Sequence, residues 1–345
     1  MKGGGRSRVS GLRGVAAKAG VSISTASRFL NGRKVRPAAE KRLAAAVLET
    51  GYSPNRVAQS LRRARTTTLG MIIPDITNPF FPAVVKGVED TARSAGFALV
   101  LLNAGEDGAR ESDCLTLVQA LRCDGLLMIM APLRGHQNRR RPSAGDLKLP
   151  VVYIAAAPSF DADMVLADDV RAAEQAVRHL VSLGHTRIGC LAADSDLSVH
   201  HNRFEGYRSA LRKAGLEQRP EFEVRARATV ADGYSATTKL LGLKERPTAL
   251  FATSYRITIG VMSAIESDGL RCPEQISVIG YDSYDWQDVF HPKISVIAQP
   301  SYLMGVRAAE LLMSRLASRN VGAPERILLQ SSLVLRESCG PAPRP

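Results

Sequence analysis

The stretch GVSISTASRFLNG, residues 20–32, decides how the first fifth of the chain is read. Gly20 suits a helix end, because a residue without Cβ takes the left-handed conformation that a sharp turn demands. Ser22 is placed to cap a helix starting at Ile23, in which Ala26 and Leu30 fall inward while Ile23, Ser24, Ser27 and Arg28 fall outward. Upstream, Leu12, Val15, Ala16 and Ala19 recur at i, i+3, i+4 and i+7 and form one apolar helix face. The segment therefore predicts a helix, a three-residue turn and a second helix. Small Ala16 and Ala26 let the two helices cross closely, and the outward set is short and polar enough to lie in a major groove. Pro37 opens a third helix with Leu43, Ala46 and Val47 inward, and Gly51 closes it.

Charge sets this head apart from the rest of the 345 residues. Residues 1–65 hold fifteen Lys or Arg against only Glu40 and Glu49, whereas the remaining 280 hold 31 basic and 31 acidic side chains. A basic head on a neutral body is the footprint of a module that neutralises phosphates. No apolar run approaches the ~20 residues of a membrane span, which excludes insertion in a bilayer. The start, MKGGGRSRVSG, lacks the apolar stretch of a secretory signal, so the expected compartment is the cytoplasm. Five scattered cysteines without a CxxC, and six histidines without HExxH or an acidic cluster, predict neither a metal site nor a disulfide framework. No cofactor is expected: GxSxG, Walker A and a GxGxxG after a strand are all missing.

From Thr68 onward short β-rich runs alternate with amphipathic segments. LGMII (69–73), ALVLL (98–102), GLLMIM (125–130) and VVYIA (151–155) form one series; RIGCLA (187–192), TALFAT (248–253) and ISVIGY (276–281) form another. This predicts two α/β lobes, each a parallel sheet with right-handed crossovers. Ligands of such sheets bind beyond the carboxyl ends of the strands, so a cleft between the lobes gathers the residues that follow each strand.

GVSISTASRFLNG and the following VRPAAEKRLAAAVLETGYSPNRVAQSLR (35–62) resemble the DNA-binding head of the lactose and galactose repressor family, and the likeness extends over about residues 10–340. The resemblance implies a helix-turn-helix head at 10–54, a hinge helix and linker at 55–67, and a periplasmic-binding-protein-like core at 68–340. That core is α/β, two doubly wound parallel-sheet lobes behind the all-α head. The N-lobe is expected at about 68–167 and 298–326, the C-lobe at about 168–297 and 327–340. It implies DNA contacts from Ile23, Ser24, Thr25, Ser27, Arg28 and Asn31, and from the hinge residues Asn55, Arg56, Ala58, Gln59 and Leu61, the leucine acting as a minor-groove wedge. Two departures lie in the first helix, where Gly11 and Gly14 stand for the family's usual Thr and Asp. The first removes a common phosphate-contacting cap, for which Ser10 is the substitute, and the second costs ~1 kcal/mol of helix propensity.

The same resemblance supplies effector candidates at the strand ends. Asn78 and Phe80 lie in PDITNPFF; Phe80 either lines the sugar site or anchors the next helix. Arg203, in HHNRFEGY, matches the family arginine that binds effector oxygens, a task suited to its planar five-donor fork. Asp282, in VIGYDS, matches the carboxylate that accepts from sugar hydroxyls, and Trp286 either stacks on a pyranose face or packs the cleft wall. Thr253 and Ser254 stand where many members have Asn-Asp, and the missing carboxylate tilts the effector from a common hexose towards a sugar acid. The implied function is a repressor, not an enzyme: a homodimer on a pseudo-palindromic operator in double-stranded DNA, controlled by a small carbohydrate-like effector, with no membrane partner. SCGPAPRP after the last strand-like run (327–337) lacks the leucines of a tetramerising heptad helix, so a dimer is expected. The competing class, an α/β enzyme or a transport binding protein with an incidental basic head, lacks catalytic motifs and a signal sequence.

Overall fold

The computed structural model describes residues 11–30, 33–52, 66–105, 110–132, 144–284, 287, 289, 291–318 and 322–343. It divides into two units, the first ending at Thr66 and the second running from Thr67.

The first unit contains three helices, α1 (Leu12–Ala19), α2 (Ile23–Leu30) and α3 (Pro37–Thr50). Gly20 ends α1 at φ 61° and Gly51 ends α3 at φ 61°, both in the left-handed region. Ser22 Oγ accepts the Thr25 backbone N–H at 3.1 Å and so caps α2. Val15, Ala16, Ala19, Ala26, Leu43 and Ala46 form the core of this unit. Leu30, expected inward, is only half-buried.

The second unit is built on two six-stranded sheets. The strands of the first are β1 (Thr68–Ile73), β2 (Ala98–Asn103), β3 (Gly125–Met128), β4 (Val151–Ile154), β5 (Asp163–Ala167) and β11 (Arg326–Leu329). They run parallel in the order β11-β5-β4-β3-β1-β2. The helices of this lobe are α4 (Phe80–Ser94), α5 (Glu111–Ala120), the short α6 (Ala144–Leu147) and α11 (Ser301–Ala317). Helices α4 and α11 pack against each other through glycines. A Cβ on Gly87 would stand 2.1 Å from the Tyr302 carbonyl oxygen, and one on Gly305 2.1 Å from that of Val84.

The second sheet uses β6 (Ile188–Ala193), β7 (Glu223–Ala226), β8 (Ala249–Ala252), β9 (Ser277–Tyr281), β10 (Ser295–Ala298) and β12 (Ser332–Val334), in the order β12-β10-β9-β8-β6-β7. All its pairs are parallel except β10 with β12. Its helices are α7 (Asp169–Ser182), α8 (Ser198–Lys213), α9 (Val230–Leu241) and α10 (Tyr255–Ser267).

The chain passes between the lobes after β5, after β10 and between β11 and β12. The last passage corrects the sequence reading, which places it near Arg326 and assigns residues 327 onward to the second lobe. Arg326–Leu329 instead pairs with Met164–Ala167 of β5. The polar break at Gln330 and Ser331 separates two short strands that a continuous apolar reading merges. Among the described residues no helix is long and apolar enough to cross a membrane.

Candidate functional site

The head presents α2 outward. Ile23, Ser24 and Arg28 are exposed, while Thr25 and Ser27 are half-buried. Periodicity puts Ala26 on the buried side, which fixes the opposite face. Exposed Arg13, Arg33, Lys34, Arg36, Lys41 and Arg42 give the unit its positive surface. An Arg28 guanidinium N–H reaches the Lys34 carbonyl at 3.4 Å. Asn31, Asn55, Arg56, Ala58, Gln59 and Leu61 lie outside the described residues, as does the whole expected hinge helix.

In the second unit a cleft lies between the two lobes. Its wall is made of residues that follow strands: Pro74 and Asn78 after β1, Ile129 and Met130 after β3, Asp194 and Ser195 after β6, Ser254 to Arg256 after β8, Asp282 after β9 and Gln299 after β10. This is the placement a doubly wound sheet dictates.

Arg203, on α8, forms the floor and is almost wholly buried. Its Nε donates to Asp169 Oδ1 at 2.8 Å, a second guanidinium nitrogen donates to the Thr253 carbonyl at 2.8 Å, and its plane lies 3.6 Å over the Tyr281 ring. Tyr281 donates its hydroxyl to the same Asp169 oxygen at 2.9 Å. Burial works against the arginine's charge, but Tyr281, Asp169 and Asp282 outweigh it and its pKa is raised. Asp282 is buried beside this group with φ 70°, and its Oδ1 accepts from Gln299 Nε2 at 2.6 Å. Burial pushes the carboxyls of Asp282 and Asp169 up, against the pull of Arg203.

Phe80 serves both ends the sequence leaves open: it is buried in the lobe core and its ring reaches the cleft, packed edge-on to Phe81 at 5.4 Å. Asn78 lines the cleft and accepts the Phe80 backbone N–H at 3.1 Å, which shapes the start of α4. Thr253 departs from its expected role. Its side chain turns into the lobe, where Oγ1 accepts the Ala193 backbone N–H at 3.1 Å, and only its carbonyl touches the site through Arg203. The physical reason is the strand end, where Thr253 points inward and the next residue, Ser254, caps α10 by accepting the Ile257 N–H. Trp286 lies outside the described residues.

Three participants escape a reading of the sequence. Asp169 stands at the first turn of α7, where Asp168 is the cap, and the pair of aspartates before an amphipathic run is the available signal. Gln299 sits on a passage between lobes. Arg256, at the start of α10, makes an ion pair across the cleft with Asp75 of the first lobe and reaches Thr77 Oγ1 at 3.4 Å. Burial raises the Asp75 pKa, but hydrogen bonds from Thr77 and the charge of Arg256 more than reverse this, leaving it below the usual carboxylate range. Among the described residues no group of three His, Cys, Asp or Glu is gathered to hold a metal ion.

Residues 11–55 match the lacI family of bacterial regulatory proteins, and residues 177–339 match the periplasmic binding protein-like domain. The HTH-type transcriptional repressor CytR of Escherichia coli K12 is 33% identical over 332 residues, 95% of each chain. The ribose operon repressor of the same strain is 33% identical over 329 residues, 95% of this chain and 99% of that one. The structure of the Lac repressor dimer bound to operator and the anti-inducer ONPF is similar with a TM-score of 0.80 at 25% identity, covering 94% of this chain and 97% of that one. The complex of the transcriptional regulator CelR with cellobiose gives 0.71 at 29% identity, covering 95% and 99%. Likeness of this extent, running through head and core alike, has one reading: the chain belongs to the lacI family of bacterial regulatory proteins and is a DNA-binding transcriptional regulator.

Proposed function

We propose that the protein represses transcription in the cytoplasm as a homodimer whose two heads occupy a pseudo-palindromic operator, and that a small carbohydrate-like effector in the interlobe cleft controls it. Ile23, Ser24, Thr25, Ser27, Arg28 and Asn31 meet the major groove, while Asn55, Arg56, Ala58, Gln59 and Leu61 act at the hinge. Asn78, Phe80, Arg203, Asp282 and Trp286 hold the effector; Thr253 contributes by fixing Arg203. No catalytic step is assigned, and the named relatives are transcriptional regulators.

The observation that carries this reading is the lining of the cleft, which combines hydrogen-bonding Arg203 and Asp282 of the second lobe with the Phe80 ring of the first. Such a set suits a ring with one apolar face and several hydroxyls. Cellobiose in the CelR complex, and ribose in a LacI family regulator from Enterococcus faecium at 28% identity, are precedents among similar proteins. Arg203 is already matched by Asp169, and Asp282 adds a second carboxyl, so the charge balance favours the uncharged members of this ligand class over sugar acids. A thermal-shift screen of neutral sugars against their acids tests it, since a ligand at 100 times its Kd adds ~2.7 kcal/mol of stability. Asp282→Asn is expected to lose the ligand's stabilisation and keep operator binding in gel shifts, because the amide forfeits charge-assisted bonds that are roughly twice as strong as neutral ones. A variant with the wild-type ligand response would show that Asp282 is structural. Sedimentation equilibrium checks the dimer, and a tetramer would refute it.

A further inference from the structure

Asp282 is clamped both by its own lobe and by a passage between the lobes. Its backbone N–H donates to the Ile297 carbonyl of β10 at 2.8 Å, and its carbonyl accepts from Gln287 Nε2 at 3.1 Å. Asp282 and β10 are thereby joined into one body, although φ 70° is a left-handed conformation unfavourable to a residue with a Cβ. Strain of this kind persists only where the surroundings over-determine it, and it gathers at ligand clamps and switches. Gln299, the first residue beyond β10, completes the clamp by donating Nε2 to the Asp282 carboxylate at 2.6 Å.

The passage from β10 to α11 consists of Gln299 and Pro300. Pro300 belongs mechanically to the helix: its ring locks φ, here −79°, and its carbonyl accepts the Met304 N–H at 2.9 Å. Helix α11 is in turn fixed to the first lobe, because Met304, Ala308, Ala309, Leu311 and Leu312 are part of that lobe's core. In this passage a rotation of one lobe against the other must therefore be absorbed by the φ and ψ of Gln299. The same residue's side chain is tied to the proposed effector acceptor. We propose that Gln299 is a positioning residue that couples the two. A sugar hydroxyl that engages the Asp282 carboxylate shifts its bond with Gln299, and the backbone angles of Gln299 carry that change to the first lobe. The proposal rests on the effector reading of the cleft and adds the residue through which occupancy becomes lobe movement.

The test uses the full-length protein and the duplex it selects from a random library. The probe is the neutral sugar that gives the largest melting shift in a panel including ribose and cellobiose. Operator affinity is measured with and without saturating sugar, and sugar affinity with and without the duplex; linkage requires the same factor from both. Wild-type protein is expected to show a factor of about 5- to 150-fold, the usual span of such couplings. Gln299→Met keeps the length of the side chain but cannot donate, and is expected to saturate with the sugar while the factor collapses towards unity. Loss of a merely structural contact would lower the melting temperature and leave the factor at saturation in place. Gln299→Leu serves as the second variant should methionine unfold the core. A wild-type factor in these variants overturns the proposal, as does a failure to saturate, which would make Gln299 an aid to binding alone. A wild-type protein that no sugar stabilises, or whose operator affinity the bound sugar leaves unaltered, overturns the effector reading itself, so the two failures are distinguishable.

Discussion

Arg203 and Asp169 show how much of the cleft is also core. Both are almost wholly buried, and their pairing leaves each charge compensated. Removing one member strands the other, so Asp169→Asn is expected to cost on the order of 3 kcal/mol in urea unfolding, far more than a surface carboxylate would. Thr253→Val should behave differently. It removes the acceptor for the buried Ala193 N–H and is expected to cost about 1 kcal/mol while leaving the ligand response intact. Equal loss of ligand response in Thr253→Val and Asp282→Asn would return Thr253 to the cleft. Arg203 and Asp282 are legible in the sequence because each sits in a local pattern, RFEGY on a helix and VIGYDS at a strand end. Asp75 and Arg256 are not, since they stand in different lobes and nothing local in either stretch announces the other.

At the scale of elements, the packing of α4 on α11 depends on the absence of two Cβ atoms. Gly305→Ala would press a methyl into the Val84 carbonyl, where backbone rather than a flexible side chain must yield. The expected loss is about 1 to 3 kcal/mol, read as a lower unfolding midpoint, and an unchanged midpoint would mean that the helices separate at little cost. The elements differ in how strongly the sequence marks them. Helices with a stop at Gly20 and Gly51, and strands of continuous apolar residues such as β1 and β9, announce themselves. Strand β7, EVRA, is an edge strand with charged residues along it, and β5 and β10 are buried runs of only five and four residues. Length and apolar continuity are the signals that short strands lack; their place is set by pairing with neighbours distant in sequence.

Across the whole molecule, His185 links three segments of the second lobe. Its ring nitrogens lie 2.9 Å from Thr248 Oγ1 and 3.1 Å from both Ser277 Oγ and the Gly340 carbonyl. Burial holds its pKa below the ordinary 6.5. The unfolded chain thus binds this proton more readily than the folded one; the stability associated with neutral His185 is complete above 6.5 and is lost as pH falls through the folded value. His179, also lowered by burial, acts in the same direction. Guanidinium midpoints should fall on acidification from neutrality to below 6.5, and His185→Asn should weaken that dependence; an unaltered slope would place the titration elsewhere. The ion pair between Asp75 and Arg256 has a further consequence, one of time. Opening of the lobes to admit or release a ligand would pull apart opposite charges that are largely shielded from water, with side chains 15% and 23% exposed. Breaking that contact adds to the barrier for exchange in both directions, so the pair would lengthen the residence of a molecule bound in the proposed effector site, and the persistence of a regulatory signal would depend partly on a contact that spans the two lobes.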